Sequence, residues 1–240
     1  MKKILLILTM LLMTSVSYAS NSYNSITLNE NNTVVFRGPV NGYSVDLYGQ
    51  QLLEASNNVG PDETIYLVLD SGGGQIFAGM QFISLMKSIP QNIECIAIFA
   101  ASMAHGILQA CPGNRYIAPA GVSMIHRARG GFQGQFNDGE VEARLEFWKS
   151  IVNAMEAVNA ERMGLTIETY QKLAKDEFWC SAKNCVKYSF VDALVGINCA
   201  PGLANKTFTY QNRFYLSKCP LIRKPVGQVR RNSTRRVPRR

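Results

Sequence analysis

Histidine is almost missing from this chain. Its 240 residues include two, His105 and His126, so any chemistry that needs an imidazole base must use one of them. Six cysteines occur, but none form a CxxC pair and no histidine accompanies them. The ligand spacings that hold zinc are therefore absent. No G-K-[ST] and no G-x-G-x-x-G is found, which removes the phosphate-loop and dinucleotide readings. Beyond residue 20 no apolar run is long enough to cross a bilayer. Acid is missing from one region: residues 223–240 carry eight basic side chains and no carboxylate. Without that region bases and acids balance at 17 each, so the formal net charge of +8 belongs to a tail and not to the body.

The first 19 residues come out of the fold argument. "MKK" is a charged start, Ile4–Val16 is an apolar run, and "SYA" is a small-x-small cleavage pattern. These predict a secretory signal peptide cut after Ala19, with an uncleaved anchor as the plainer alternative. Such a short leader points to bacterial export, to the periplasm or beyond. In an exported chain an even number of cysteines reads as disulfides. Proximity in sequence favours Cys180–Cys185 and Cys199–Cys219, which leaves Cys95–Cys111. Residues 20–32, rich in Asn and Ser, read as a mobile segment. Residues 223–240 read as a disordered basic tail, either simply solvated or in contact with an anionic surface.

Between these ends, strands and helices alternate. Thr33–Gly38 is a short β-branched strand. Val45, Tyr48, Leu52 and Ala55 space a helix over Ser44–Asn57. "TIYLVLD" (Thr64–Asp70) and "IECIAIFA" (Ile93–Ala100) are continuous apolar runs, as buried parallel strands require. Ile76, Met80 and Ile83 mark a helix between them, and another helix begins near Ser102. "RYIAPAG" and "VSMIHR" read as two short strands, and "GGFQGQ" as a glycine-rich extended stretch. Val141, Leu145, Trp148, Val152 and Met155 space a long helix from Asp138 to about Met163. Shorter helices follow at Ile167–Ala174 and Ser181–Ser189. This is an α/β pattern with a largely parallel sheet.

Ser102 stands at the start of a helix, where free backbone N–H groups and the positive dipole end face its side chain. An oxyanion formed there is stabilised by the Met103 N–H. "DSGGG" supplies a second donor, because glycines after a buried strand let backbone N–H groups approach a ligand. The plainer reading of "SGGG" is a sharp strand-to-helix turn. His126, at the end of an apolar run, is placed as catalytic side chains often are. His105, three residues after Ser102, reads as part of the helix.

Five motifs in order, "DSGGGQIFAGM", "AASMA", "MIHR", "GGFQGQ" and "KDEFWCSA…VKYSFVDALV", resemble the proteolytic subunit of the Clp protease (ClpP). The resemblance covers about residues 33–195 and implies a domain over 33–197. It implies a crotonase-like spiral of β-α-β units with a glycine-rich handle strand and a long handle helix. It also implies a serine peptidase that acts through an acyl-enzyme and needs no cofactor. The nucleophile falls on Ser102, the base on His126 and the acid on Asp176, with Asp138 and Asp192 as rival acids. Gly74 and Met103 fall on the oxyanion donors. Gly73, Gly74, Gln75, Gly130, Gly131 and Phe132 fall where a peptide substrate would lie as an added strand. The family's stacked seven-membered rings imply a homo-oligomer.

Several positions depart from the family pattern. "SPGG" is here "SGGG", and the turn loses a rigid proline. Lys175 stands where arginine is usual. "FWCSAKNC" inserts residues and two cysteines just after Asp176, and residues 198–222 add an extension with a cysteine pair. Export is the largest departure, since the ATPases that feed such rings are cytosolic. No ATPase partner is expected, and peptides or unfolded chains become the substrates. Three other readings stay open: an inactive ring that binds peptides or envelope components, a signal-peptide-peptidase relative with a Ser/Lys dyad, and an acyl-CoA enzyme of the same fold.

Overall fold

The computed structural model describes residues 23–211 and 213–228. The expected signal peptide, 1–19, and the tail from 229 onward lie outside the described residues. In chain order the elements are β1 (Ser25–Leu28), β2 (Thr33–Arg37), α1 (Gly42–Asn58), β3 (Ile65–Ser71), α2 (Ile76–Ser88), β4 (Ile93–Ala101), α3 (Met103–Gln109), β5 (Arg115–Ile125), α4 (Asp138–Arg162), α5 (Ile167–Leu173), β6 (Phe178–Ser181), α6 (Ala182–Lys187), β7 (Ala193–Leu194), β8 (Gly196–Cys199), β9 (Thr207–Tyr210), β10 (Phe214–Ser217) and β11 (Gly227–Gln228). The main sheet runs β2-β3-β4-β5-β6, with β7 beside the start of β5. Its first three pairings are parallel, each bridged by one helix, and β6 closes the order antiparallel to β5. This is the expected mixed α/β spiral.

The unbroken apolar runs follow from what each strand faces. In β3, Ile65, Leu67 and Leu69 pack with Phe36, Phe82 and the helices, while Val68 turns to a second cluster with Val35, Ile96, Leu28, Val195 and Leu203. Side chains alternate faces along a strand, so a sheet covered on both sides must be apolar at every position. Helix α1 opens on a capping box, in which Asn41 accepts from the Ser44 N–H at 3.0 Å and Ser44 Oγ accepts from the Asn41 N–H at 2.9 Å. It buries the predicted stripe of Val45, Tyr48, Leu52 and Ala55. Helix α4 has its own capping box, between Asn137 and Glu140, but buries nothing before Val152. Its first half leaves Val141, Leu145 and Phe147 exposed, with the Phe147 ring stacked on Phe77 of α2 at 6.1 Å.

Four expectations change. The two short strands predicted within Arg115–Arg127 are one strand, β5. Between the pairs Ala97–Ile117 and Phe99–Val122, β4 advances two residues and β5 five, so Ala118–Gly121 bulges and pairing resumes. The segment read as mobile, 20–32, contains β1, which pairs in parallel with β8 and buries Leu28 completely. The glycine-rich stretch Gly130–Gln135 forms no strand and pairs with none among the described residues. The tail does not begin at 223. Arg223 is bonded to Asp70, and Gly227–Gln228 pairs with β10.

All three cysteine pairs lie at bonding distance: Cys95–Cys111 at 2.10 Å, Cys180–Cys185 at 2.01 Å and Cys199–Cys219 at 2.02 Å. The first ties β4 to the loop after α3, and the second ties β6 to α6. The third closes the C-terminal extension, whose strands form a separate antiparallel sheet in the order β9-β10-β11. The extension docks by Phe208, whose ring meets Tyr48 edge-on at 6.1 Å.

Candidate active site

Ser102 joins the end of β4 to the start of α3 with φ 55 and ψ −123. A positive φ is costly for a residue with a side chain, and such strain persists only where the surroundings enforce it. They do so here. Ala100, Ala101 and Ala104 are buried around it. The Ser102 N–H donates to Met124 O at 3.0 Å, and its carbonyl accepts from the Gly106 N–H at 3.1 Å. The side chain caps nothing. Instead Ser102 Oγ lies 2.8 Å from His126 Nε2. His126 is the first residue beyond β5, and the Arg127 N–H, which donates to Ala174 O at 2.8 Å, ties that strand end to the segment carrying Asp176.

The glycines after β3 sit against this serine. A Cβ on Gly73 would lie 2.7 Å from Ser102 Cβ and 2.7 Å from Met103 N, and its φ is +87. No side chain fits there, and only glycine adopts that backbone readily. Gly73 O accepts from the Val40 N–H at 2.9 Å. Because a trans peptide points its N–H opposite its C=O, the Gly74 N–H faces away from Val40. The Met103 N–H, at the first position of α3, has no partner within its own helix. The Met103 N–H beside Gly73, and the Gly74 N–H one residue on, thus have no backbone acceptor among the described residues. Gln75 is also exposed, and its N–H is already given to Val40 O at 2.8 Å.

Asp176 is not brought to His126. It is exposed and makes no hydrogen bond or ion pair among the described residues, while His126 Nδ1 is buried without a partner. The rival acids are otherwise engaged. Asp192 accepts from the Arg115 N–H at 2.7 Å and from Arg115 Nε at 3.2 Å. Burial pushes its carboxyl up, but the Arg115 bonds outweigh that and hold it below the ordinary value. Asp138 opens α4, is exposed, and makes no side-chain hydrogen bond or ion pair with His126 among the described residues. Glu177, next to Asp176, lies 3.5 Å from Arg129 and accepts from Trp179 Nε1 at 3.1 Å.

His105 is the structural residue expected. It is fully buried, its Nδ1 lies 3.0 Å from Ser123 Oγ, and its ring meets Phe190 at 4.8 Å. Burial, then the nearby Arg115 guanidinium, lower its pKa from 6.5 to about 3.

Sequence reasoning missed the pocket beside Ser102. Its volume is about 80 Å³, with walls from Ile76, Met103, Ile125 and Met155 and a polar end at Asn159 and Tyr170. Asn159 Nδ2 donates to Tyr170 Oη at 3.1 Å. Met155 ends the apolar stripe that spaces α4, and Asn159 stands one helical turn beyond it, so the stripe marks the helix but not the pocket. Just before the glycine-rich stretch, Ala128 and Arg129 line the pocket. Gly130 packs on the Trp148 ring, and Phe132 is 42% exposed. Gly131 and Phe132 make no contact with this pocket. Among the described residues no lysine bonds Ser102 or lines the pocket.

A hydroxyl held against an imidazole, beside unused backbone donors and an apolar pocket, is the arrangement of groups that an acyl-transfer enzyme employs. The chain matches the family model described as Clp protease over residues 17–198. It belongs to that family of peptidases, whose members are typically oligomeric rings acting on peptide substrates.

Proposed function

We propose that the chain is an exported serine endopeptidase that cleaves peptides or unfolded chains without an ATPase. The observation that carries this reading is the 2.8 Å approach of Ser102 Oγ to His126 Nε2 at a strained strand–helix junction. In the forward step His126 Nε2 takes the hydroxyl proton as Oγ attacks the scissile carbonyl. The N–H groups of Met103 and Gly74 receive the oxyanion. His126 then returns the proton to the leaving amine, and water, deprotonated by the same nitrogen, releases the acyl group. For Nε2 to accept a proton, Nδ1 must carry one. The carboxylate that holds this Nδ1–H is Asp176, reached when the loop from Ala174 closes on His126. Residues Gly73–Gln75 and the Gly130–Phe132 stretch bind substrate as neighbouring strands. The exposed first half of α4 supports assembly with further copies of the chain.

The unpartnered His126 Nδ1 favours a second reading, an inactive ring that only binds peptide. One experiment separates the two. The mature protein and its Ser102→Ala variant are compared with a fluorogenic peptide and a fluorophosphonate label. Turnover and labelling in the first, lost in the second, support the peptidase. Peptide binding with neither supports the inactive ring. A Ser/Lys enzyme would keep its activity in His126→Ala.

Residues 229–240 lie outside the described residues. The remaining basic run is proposed to contact an anionic surface, with binding to anionic vesicles that falls steeply as salt is raised. Salt-insensitive binding, or binding that survives deletion of 229–240, overturns it.

A further inference from the structure

We propose that Arg37, Asp70 and Arg223 form a positioning cluster through which the C-terminal extension, residues 199–228, sets the Gly73–Gly74 turn beside Ser102. The inference rests on the peptidase reading for its effect on rate, but the coupling it describes is structural and is measured separately.

The physical chain begins at Asp70, the last but one residue of β3. Its side chain is 4% exposed and faces two guanidiniums. Arg37 Nε donates to Asp70 Oδ2 at 3.1 Å, and Arg223 Nη2 donates to Oδ1. Arg37 is itself only 11% exposed. Its remaining donors go to the extension, Nη1 to Ile222 O at 3.2 Å and Nη2 to Pro220 O at 3.1 Å. Both carbonyls lie within three residues after Cys219, which Cys199 anchors to β8. The guanidinium fork thus binds a carboxylate and two carbonyls at once, a task lysine cannot perform.

The strand after Arg37 carries the constraint to the site. Arg37 pairs with Asp70 in the sheet, and the Gly38 N–H donates to Asp70 O at 3.1 Å. Val40 then holds both sides of Gly74, through Gly73 O and the Gln75 N–H. Two further contacts brace this strand. Tyr48 Oη donates to Arg37 O at 2.8 Å. Tyr210, in β9, lies so close over Gly38 that a Cβ there would meet its hydroxyl. Removing a partner of a buried charge costs more than removing a surface pair, so Asp70 transmits loss of the extension to the turn four residues on.

The test is residue-resolved hydrogen exchange on the full mature chain, comparing wild type with Arg223→Ala and Arg223→Lys, and with the Cys199→Ser/Cys219→Ser pair. Arg223 is 63% exposed, so its loss leaves the core intact. The Val40 and Gln75 amides are expected to exchange about tenfold faster in Arg223→Ala, with α4 amides unchanged. Lysine should restore most of the protection, and the serine pair should reproduce the alanine effect. In the same variants kcat should fall several-fold with KM unchanged. Unchanged exchange at Val40 and Gln75 in both Arg223→Ala and the serine pair overturns the proposal. Altered exchange in a protein that never labels with fluorophosphonate would instead sustain the coupling and remove the peptidase reading.

Discussion

The chain has two histidines, and each sits within 3.0 Å of a serine hydroxyl. At His105 the serine is Ser123, in regular strand, with its hydroxyl proton given to Ala100 O at 2.7 Å. That oxygen can then only accept, so His105 carries its proton on Nδ1 and uses it to hold the core together. At His126 the serine is Ser102, whose backbone is strained and whose hydroxyl meets no carbonyl among the described residues. Its proton is available to the imidazole. Both pairs join the start of α3 to the end of β5, since Ser102 stands at the N-cap of α3 and His105 lies within it, while Ser123 is in the end of β5 and His126 follows it. What separates a structural pair from a reactive one is where the hydroxyl proton goes and whether a cavity opens beside it, not the residue types.

The sharpest way to break this contrast is to remove each hydroxyl. Ser102→Ala should lower kcat/KM on a fluorogenic peptide by about 10⁴-fold or more, the scale on which losing a nucleophile acts. Ser123→Ala should leave kcat near wild type. It should instead cost about 1–3 kcal/mol of stability, measured by urea unfolding, because the His105 Nδ1–H loses its buried acceptor. Equal activity losses in the two variants would erase the distinction.

The second largest effect concerns the acids. Asp176→Asn should lower kcat by about 10⁴-fold if that carboxylate orients His126 during turnover, with little change in stability, since Asp176 is exposed and unbonded among the described residues. Asp192→Asn should do the reverse, lowering the unfolding midpoint while kcat holds, because Asp192 is bonded to Arg115. A fully active Asp176→Asn enzyme would remove Asp176 from the site and leave His126 working as a member of a pair.

How much of this was legible beforehand divides along physical lines. The sheet was readable because burial on both faces forces apolar residues at every position, as in Thr64–Asp70. Helix α1 was readable because one buried stripe repeats at helical spacing. The placement of Ser102 was readable from a strand ending in small residues, and that of His126 from motif order. Features that depend on distant contacts were not. β1 hides among Asn and Ser because only Ile26 and Leu28 need be apolar. The bulge in β5 answers a slip in register with β4, which no local pattern records. The extension looked like two cysteines and a charged tail, yet Arg223 is held by Asp70, 153 residues away in sequence. The pocket wall from Met155 and Asn159 has the same spacing as a core stripe. Asp176 was placed by motif, and motif order cannot say whether a loop is closed.

The last expected effect tests the structural half of the comparison, through pH. Desolvation in the core, and secondarily the Arg115 charge, hold the folded-state pKa of His105 at about 3, against 6.5 when unfolded. As pH falls through 6.5 the unfolded chain takes up a proton that the folded chain refuses. Stability is therefore untouched above that value and declines between 6.5 and about 3, by about 1.4 kcal/mol per pH unit for one proton. His105→Gln keeps a polar group near Ser123 but cannot titrate. Its urea midpoint at pH 7 should be somewhat lower than that of wild type, yet its acid-side decline from pH 6.5 to 4 should be shallower by close to one proton. The two profiles should converge as pH falls. Parallel profiles would mean that His105 takes its proton in the folded state, and that the pair it forms with Ser123 is not the closed structural contact that sets it apart from Ser102 and His126.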